Sequence, residues 1–388
     1  MFEVAMCDAT YIELHCHSCF SFREGASTPL ELVLQARRLG YPALALTDHD
    51  GLAGAMEFAQ TAKEWGVAPI IGAELTLREQ PSPRPTATPL PKGEGTNTHL
   101  TLLAETPRGY ANLSRLLSMA LLGSPRGEPE LDPAALAGRT EGLIALSGCR
   151  DGAVSRRIGA GDVAGARTTA SWYAELFDKE HFFIELQDNL VYGDRARNRG
   201  LVELARELDL AIVATNNVHY HERARHRLQD VLVAVRHRTT LDASERLRRR
   251  NAECYLKSPE EMAALFSELP ESLRNSVSIA ERCVGLEAGG WKLDGCPELP
   301  ETIAPLPLGE GMGVREQTSH AAPQASTAHR QGPDSSLTLS MTNGNSKRGF
   351  DLTRDLTYEF PDFQAPNGMT ADEFLEEVCF AAARELYG

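Results

Sequence analysis

Residue types that ligate metals recur in this chain at the ends of short apolar runs. His15-Cys16-His17 ends the run at 11–15, and Thr47-Asp48-His49-Asp50 ends the run at 42–47. Gly72-Ala73-Glu74 follows VAPII, Cys149 follows GLIALSG, and Asn217-Val218-His219 follows AIVATN. On a strand, residues i and i+2 project to one face, so His15 and His17 can meet one cation while Cys16 points away. Imidazole and thiolate suit Zn²⁺, and mixed imidazole–carboxylate sets also suit Mn²⁺ or Fe²⁺. One such residue would read as a helix cap or a core thiol. Five at corresponding places make coincidence the poorer explanation. Cys16 and Cys19 also form a Cys-x-x-Cys. No second pair completes a zinc ribbon, and the overlap with His15 and His17 argues against a redox role.

The apolar runs are the elements that must position these residues. Strand-like segments at 11–15, 42–47, 67–75, 99–104, 142–147, 181–186 and 211–215 alternate with helical periodicity at 29–39, 52–65, 110–122, about 152–177, and 194–208. Strands apolar on both faces and separated by helices predict parallel βαβ units. This number of repeats suits a closed α/β barrel, in which all strand ends open on one face. Residues 79–98 and 301–349 are rich in Pro, Thr, Gly and Ser without hydrophobic period, and are expected to be low-complexity insertions. They share PLPKGEG at 89–95 and PLPLGEG at 305–311. Beyond residue 240 helices take over: 258–266, with Ser258 as N-cap and Pro259 at the first helical position, then 270–283 and 370–386.

The 388 residues carry 39 − 54 = −15 formal charges, which excludes a generally basic nucleic-acid coat. No apolar run is long enough to span a bilayer, and MFEVAMCDATY lacks a basic segment leading into an apolar one. Eight scattered cysteines in such a chain suggest reduced thiols, so a cytoplasmic protein is expected.

The stretch from YIELHCHSCFSFREGASTPLELVLQARRLGYPALALTDHDGLAGAMEF to GVAPIIGAEL resembles the start of a PHP (polymerase and histidinol phosphatase) domain, in the form found in bacterial DNA polymerase III alpha subunits. HLTLLAETPRGYANL, ALSGC, ATNNVHYHERARHRLQDVL and NAECYLKSPEEMAALF extend the likeness, and TNNVHYH and VRHRTTLD are similar to the error-prone branch. The resemblance implies a distorted seven-stranded (β/α) TIM-like barrel over 1–240, followed by the start of a polymerase thumb-like helical region at 241–300 and 350–388. It implies up to three ions, Zn²⁺ or Mn²⁺, held by His15, His17, Glu24, His49, Glu74, His99, Cys149, Asn217 and His219. Glu24 and Asn217 stand where the family usually has Asp. The first change keeps a carboxylate, whereas the second leaves a neutral, weaker amide ligand. His99 lies early in its own run, so its place in the set comes from the resemblance alone.

The chemistry so implied is hydrolysis at phosphorus, of the 3′–5′ exonuclease or pyrophosphatase kind, with water ionised near neutral pH and oxyanion charge neutralised by cations. Asp48 is expected to orient His49 or accept a proton, with capping of the following helix as the alternative. His221, His226 and His237 read as surface residues. The polymerase palm is absent, so an N-terminal piece of a split or truncated gene is expected. DNA, a downstream polymerase polypeptide or replication subunits are the expected partners, and no membrane. A non-catalytic partner-binding domain and a histidinol-phosphatase-like enzyme are the alternatives.

Overall fold

The computed structural model describes residues 10–78 and 97–284. The insertion at 301–349 and the helix at 370–386 therefore lie outside the described residues, as do all but the last two residues of the insertion at 79–98.

The chain folds as an α/β unit around a six-stranded sheet that curls into a half-barrel, with strands in sequence order. The strands are β1 (Ala43–Leu46), β2 (Ala68–Leu77), β3 (Thr98–Ala104), β4 (Leu143–Leu146), β5 (Phe182–Leu186) and β6 (Ile212–Ala214). β1, β4, β5 and β6 are buried along their whole length, as expected of strands covered on both faces. Helix α1 (Pro29–Arg38) precedes β1, and α2 (Ala55–Glu64), α3 (Pro107–Gly123), α4 (Ala153–Gly159), α5 (Val163–Phe177) and α6 (Asp194–Leu208) lie between the strands. α1 starts on a capping box: the Thr28 hydroxyl accepts from the Glu31 N–H while the Glu31 carboxylate accepts from the Thr28 N–H.

Two features depart from the expected parallel seven-stranded barrel. The segment 11–15 is extended but forms no ladder of its own. Its backbone instead bonds on two sides: Ala45 N–H donates to Glu13 O at 3.0 Å and Thr47 N–H to Cys16 O at 2.7 Å, while Val218 N–H donates to His15 O at 2.8 Å. The second departure is β3, which runs antiparallel to both β2 and β4, whereas the remaining pairs are parallel. A parallel pair needs a crossover, usually a helix, and the sequence between β2 and β3 offers only a Pro- and Gly-rich stretch with no helical period. The reversal matters for chemistry. It turns the beginning of β3, where His99 lies, toward the rim where the parallel strands end, and pairs His99 with Thr76 two residues beyond Glu74.

After β6 come α7 (His226–Arg236), α8 (Pro259–Leu265) and α9 (Pro270–Val284). α8 opens on the foreseen Ser258 cap, completed by Glu261 as a capping box. Leu273, Ile279 and Ala280 of α9 share one apolar core with Leu44, Ile144 and Val213 of the sheet. α9 is also bonded to the strands, since Asn275 Nδ2 donates to Ile212 O at 2.8 Å and Ile12 N–H to Ser276 Oγ at 3.0 Å. Among the described residues no helix is long and apolar enough to cross a membrane.

Candidate metal centre

Glu74, on β2, is the hub of the strand-end residues. It is completely buried, and four imidazoles surround its carboxylate. Oε1 lies 3.5 Å from His15 Nε2 and 3.3 Å from His99 Nδ1, and Oε2 lies 3.5 Å from His17 Nε2 and 3.1 Å from His49 Nε2. His49 reaches this point because the chain beyond β1 continues as a parallel bridge to Glu74. The His17 ring stacks on His49 at 4.5 Å and on His219 at 4.5 Å. Glu24 joins from the loop after His17, with Oε2 2.8 Å from His49 Nε2, and its other oxygen pairs with Arg236. Cys149 Sγ lies 3.4 Å from His99 Nδ1, and Asn217 Oδ1 lies 2.9 Å from His219 Nε2. All nine residues named from the resemblance thus sit in one chain of contacts.

Their donor atoms suit cations. Among the described residues, three groups have donor atoms within 4.8 Å of one another: His15, His17 and Glu74; His49, Glu74 and His99; and His99, Cys149 and Asp151. Buried polar groups are normally hydrogen-bonded. Here His15 Nε2, His17 Nε2, both Glu74 oxygens and His219 Nδ1 have no hydrogen-bond partner. Such a convergence of unsatisfied nitrogen and oxygen atoms is costly unless something else fills it. The donor set of imidazole, carboxylate and thiol matches Zn²⁺ or Mn²⁺.

The electrostatics agree. Burial would push the Glu74 carboxyl up, but His99, His49 and His15 outweigh it and hold it well below the usual carboxylate range. Burial, reinforced by neighbouring His49, holds His17 well below the usual imidazole value, which leaves it neutral with a free lone pair. His219 is likewise held down by burial and by Arg249. Burial would lower His15 too, but Glu185 and Glu74 overcome it and raise it. Burial pushes the Cys149 thiol up.

Several supporting groups had no motif to announce them. Glu185 Oε1 lies 2.6 Å from His15 Nδ1 and accepts from Gln187 Nε2 at 2.9 Å and Thr215 Oγ1 at 2.5 Å. That bond fixes the His15 ring so that Nε2 faces Glu74. Glu13 accepts from Tyr11 Oη at 2.7 Å, from the His15 N–H at 2.9 Å and from the Asn216 N–H at 3.1 Å. Burial still raises its carboxyl to about 7. The signal for both was present: a lone acidic residue in an otherwise apolar strand, as in YIEL and FFIEL. Asp151, exposed beside Cys149, was also not foreseen.

Asp48 neither orients His49 directly nor caps α2. Its carboxylate accepts from Ser18 N–H at 2.7 Å, Ser18 Oγ at 2.8 Å and Ser21 Oγ at 2.7 Å, while the His49 N–H donates to Ser21 Oγ at 3.0 Å. α2 begins later, at Ala55, with Gly54 as its N-cap. Buried and with both oxygens hydrogen-bonded, Asp48 ties the loop after His17 to the end of β1. His221 is also not a surface residue: it is buried with Nδ1 2.8 Å from Ser27 Oγ. Cys16 and Cys19 are free thiols.

Comparison with known proteins gives a consistent picture. The model of the family described as the PHP domain matches residues 13–189. The chain is 42% identical over 290 residues to an "Error-prone DNA polymerase" of Symbiobacterium thermophilum, an overlap covering 71% of this chain and 25% of that protein. It is 37% identical over 282 residues to a "DNA polymerase III subunit alpha" of Treponema pallidum, covering 72% of this chain and 24% of that protein. The chain thus spans about a quarter of the length of these relatives. Among solved structures, an amidohydrolase from Chromobacterium violaceum aligns with a TM-score of 0.32 and 16% identity, over 54% of this chain and 87% of its own, a likeness too slight to bear on the site.

Proposed function

Residues 13–189 of this chain are a PHP domain, and on that premise we propose that it hydrolyses phosphoesters with divalent cations held by His15, His17, Glu24, His49, Glu74, His99 and Cys149. The observation that carries this reading is the buried Glu74 carboxylate, with no hydrogen-bond donor of its own and four imidazoles within 3.1–3.5 Å. Zn²⁺ or Mn²⁺, up to three ions, fits the donor set. Bound there, such cations supply Lewis acidity and ionise water near neutral pH.

The chain's own residues prepare the site for that chemistry. Glu185 fixes the His15 ring. Ser18, Ser21 and Asp48 hold the turn carrying His17 against the one carrying His49. Asn216, whose Nδ2 donates to Glu253 O and Tyr255 O at 2.9 and 2.7 Å, anchors the turn that presents Asn217 and His219. The segment 11–17, bonded on one side to β1 and on the other to Val218, acts as the seventh member that closes a distorted barrel around these groups.

The substrate class is a DNA 3′ end or pyrophosphate, in replication or translesion synthesis, with DNA and a downstream polymerase polypeptide or replication subunits as partners in the cytoplasm. The similarity to named DNA polymerases supports this, and residues 241–300 and 350–388 are then the beginning of a thumb-like region. Purified protein supplied with Zn²⁺ or Mn²⁺ is expected to hydrolyse 3′-ended DNA, pyrophosphate or a simple phosphate ester, and a His15→Ala/His17→Ala variant is not. Equal rates for the two proteins on all three substrates would contradict the proposal. A second reading, a partner-binding domain that performs no hydrolysis, is favoured by the neutral Asn217. It predicts those equal rates.

A further inference from the structure

The corner of the site formed by Asn217 and His219 differs from the rest. His219 is buried and its ring stacks on His17, yet among the described residues it belongs to none of the three donor groups that could hold an ion. Among the described residues no carboxylate completes a donor group with it, and the Asn217 amide oxygen lies 2.9 Å from Nε2. The same Nε2 is hydrogen-bonded to the guanidinium of Arg249. A guanidinium is a donor only and does not lose its proton in proteins, so this contact takes the Nε2 lone pair that a cation would use.

Arg249 is set in place from both sides. Arg248 pairs with Asp230 of α7 at 3.1 Å, and Asn251 Nδ2 donates to Asn189 O at 2.7 Å. From between these anchors the otherwise exposed Arg249 reaches the buried His219 ring. Arg246, Arg248, Arg249 and Arg250 line one cavity with Asp230 and Glu245, so arginines outnumber carboxylates around Arg249.

We infer that Arg249 stands in for a cation at the Asn217–His219 corner, so that this chain binds one divalent ion fewer than its donor residues would otherwise hold. The inference rests on the functional reading above, because it presumes ions elsewhere in the site. Its logic is charge balance. An Asp at 217 would offer an anionic oxygen to a divalent ion, whereas an amide offers none, and a tethered monovalent cation then fills the place. Asn217 has φ +50°, a left-handed conformation that Asn and Asp both tolerate, so Asn217→Asp can be made without moving the backbone.

The test is the metal content of the full chain after saturation with Zn²⁺ and gel filtration, measured by elemental analysis. Asn217→Asp/Arg249→Gln is expected to carry one zinc equivalent more than the wild type. Asn217→Asp alone is expected to carry the wild-type number, because Arg249 then pairs with the new carboxylate. Should the double variant fail to fold, Asn217→Asp/Arg249→Ala, in which the long side chain is removed outright, becomes the deciding comparison and must gain the same zinc equivalent. Equal zinc in wild type and folded variant overturns the inference while leaving the functional reading in place. A wild type that binds no zinc or manganese overturns both.

Discussion

Glu74→Gln is expected to lower hydrolysis by ~10²–10³-fold, the loss found when one preorganised charge-stabilising group is removed from an active site. The substitution preserves volume and shape. It removes the single negative charge shared by His15, His17, His49 and His99, and turns one acceptor oxygen toward those rings as an N–H₂ donor. Because Glu74 belongs to two of the three donor groups, both should weaken together. Elemental analysis of the variant should therefore show a deficit larger than that of Cys149→Ser, which touches only one group. The variant should also be less stable than the wild type without metal, because removing one partner of a buried charge cluster costs about 3–5 kcal/mol. Unchanged metal content and unchanged rates would remove Glu74 from the centre of the site.

Stripping divalent ions with a chelator is expected to lower the melting temperature by about 10 °C. Ions that bind the native chain and not the unfolded one stabilise it by about 4 kcal/mol at a thousandfold excess over Kd, and each kcal/mol moves the midpoint of a chain this size by roughly 2–4 °C. The physical source is visible in the buried atoms of His15, His17 and Glu74 that no hydrogen bond satisfies. Without cations these atoms are desolvated and uncompensated. Readdition of Zn²⁺ or Mn²⁺ should restore the midpoint in wild type and far less in His15→Ala/His17→Ala. A midpoint indifferent to chelation would mean that the cluster is satisfied by protons alone.

The strand-end pattern makes much of the site legible in the sequence, because a residue just past a buried strand has few places to go. His17, His49 and Glu74 converge for that reason, and α6 falls at 194–208 as its periodicity indicated. What periodicity does not encode is direction. HLTLLA reads the same whether it runs with or against its neighbours, so the antiparallel β3 was missed, and with it the physical reason that an early residue such as His99 reaches the rim. Nor does periodicity distinguish an extended segment from one with a ladder, which is why residues 11–15 were counted as a regular strand. Glu13 and Glu185 were passed over as isolated charges in apolar runs, although an acid buried in a strand is expensive unless it holds something. Arg249 was beyond reach. It lies in an irregular Arg-rich stretch that looks like a solvated surface, and only the fold brings it to His219.

The most direct measurement is an anomalous difference map at the zinc absorption edge, from crystals of the full chain grown with Zn²⁺. The account predicts peaks between Glu74 and the rings of His15, His17, His49 and His99, and no peak between Asn217 and His219. A map without density beside Glu74, in crystals whose side chains are otherwise well ordered, would contradict it.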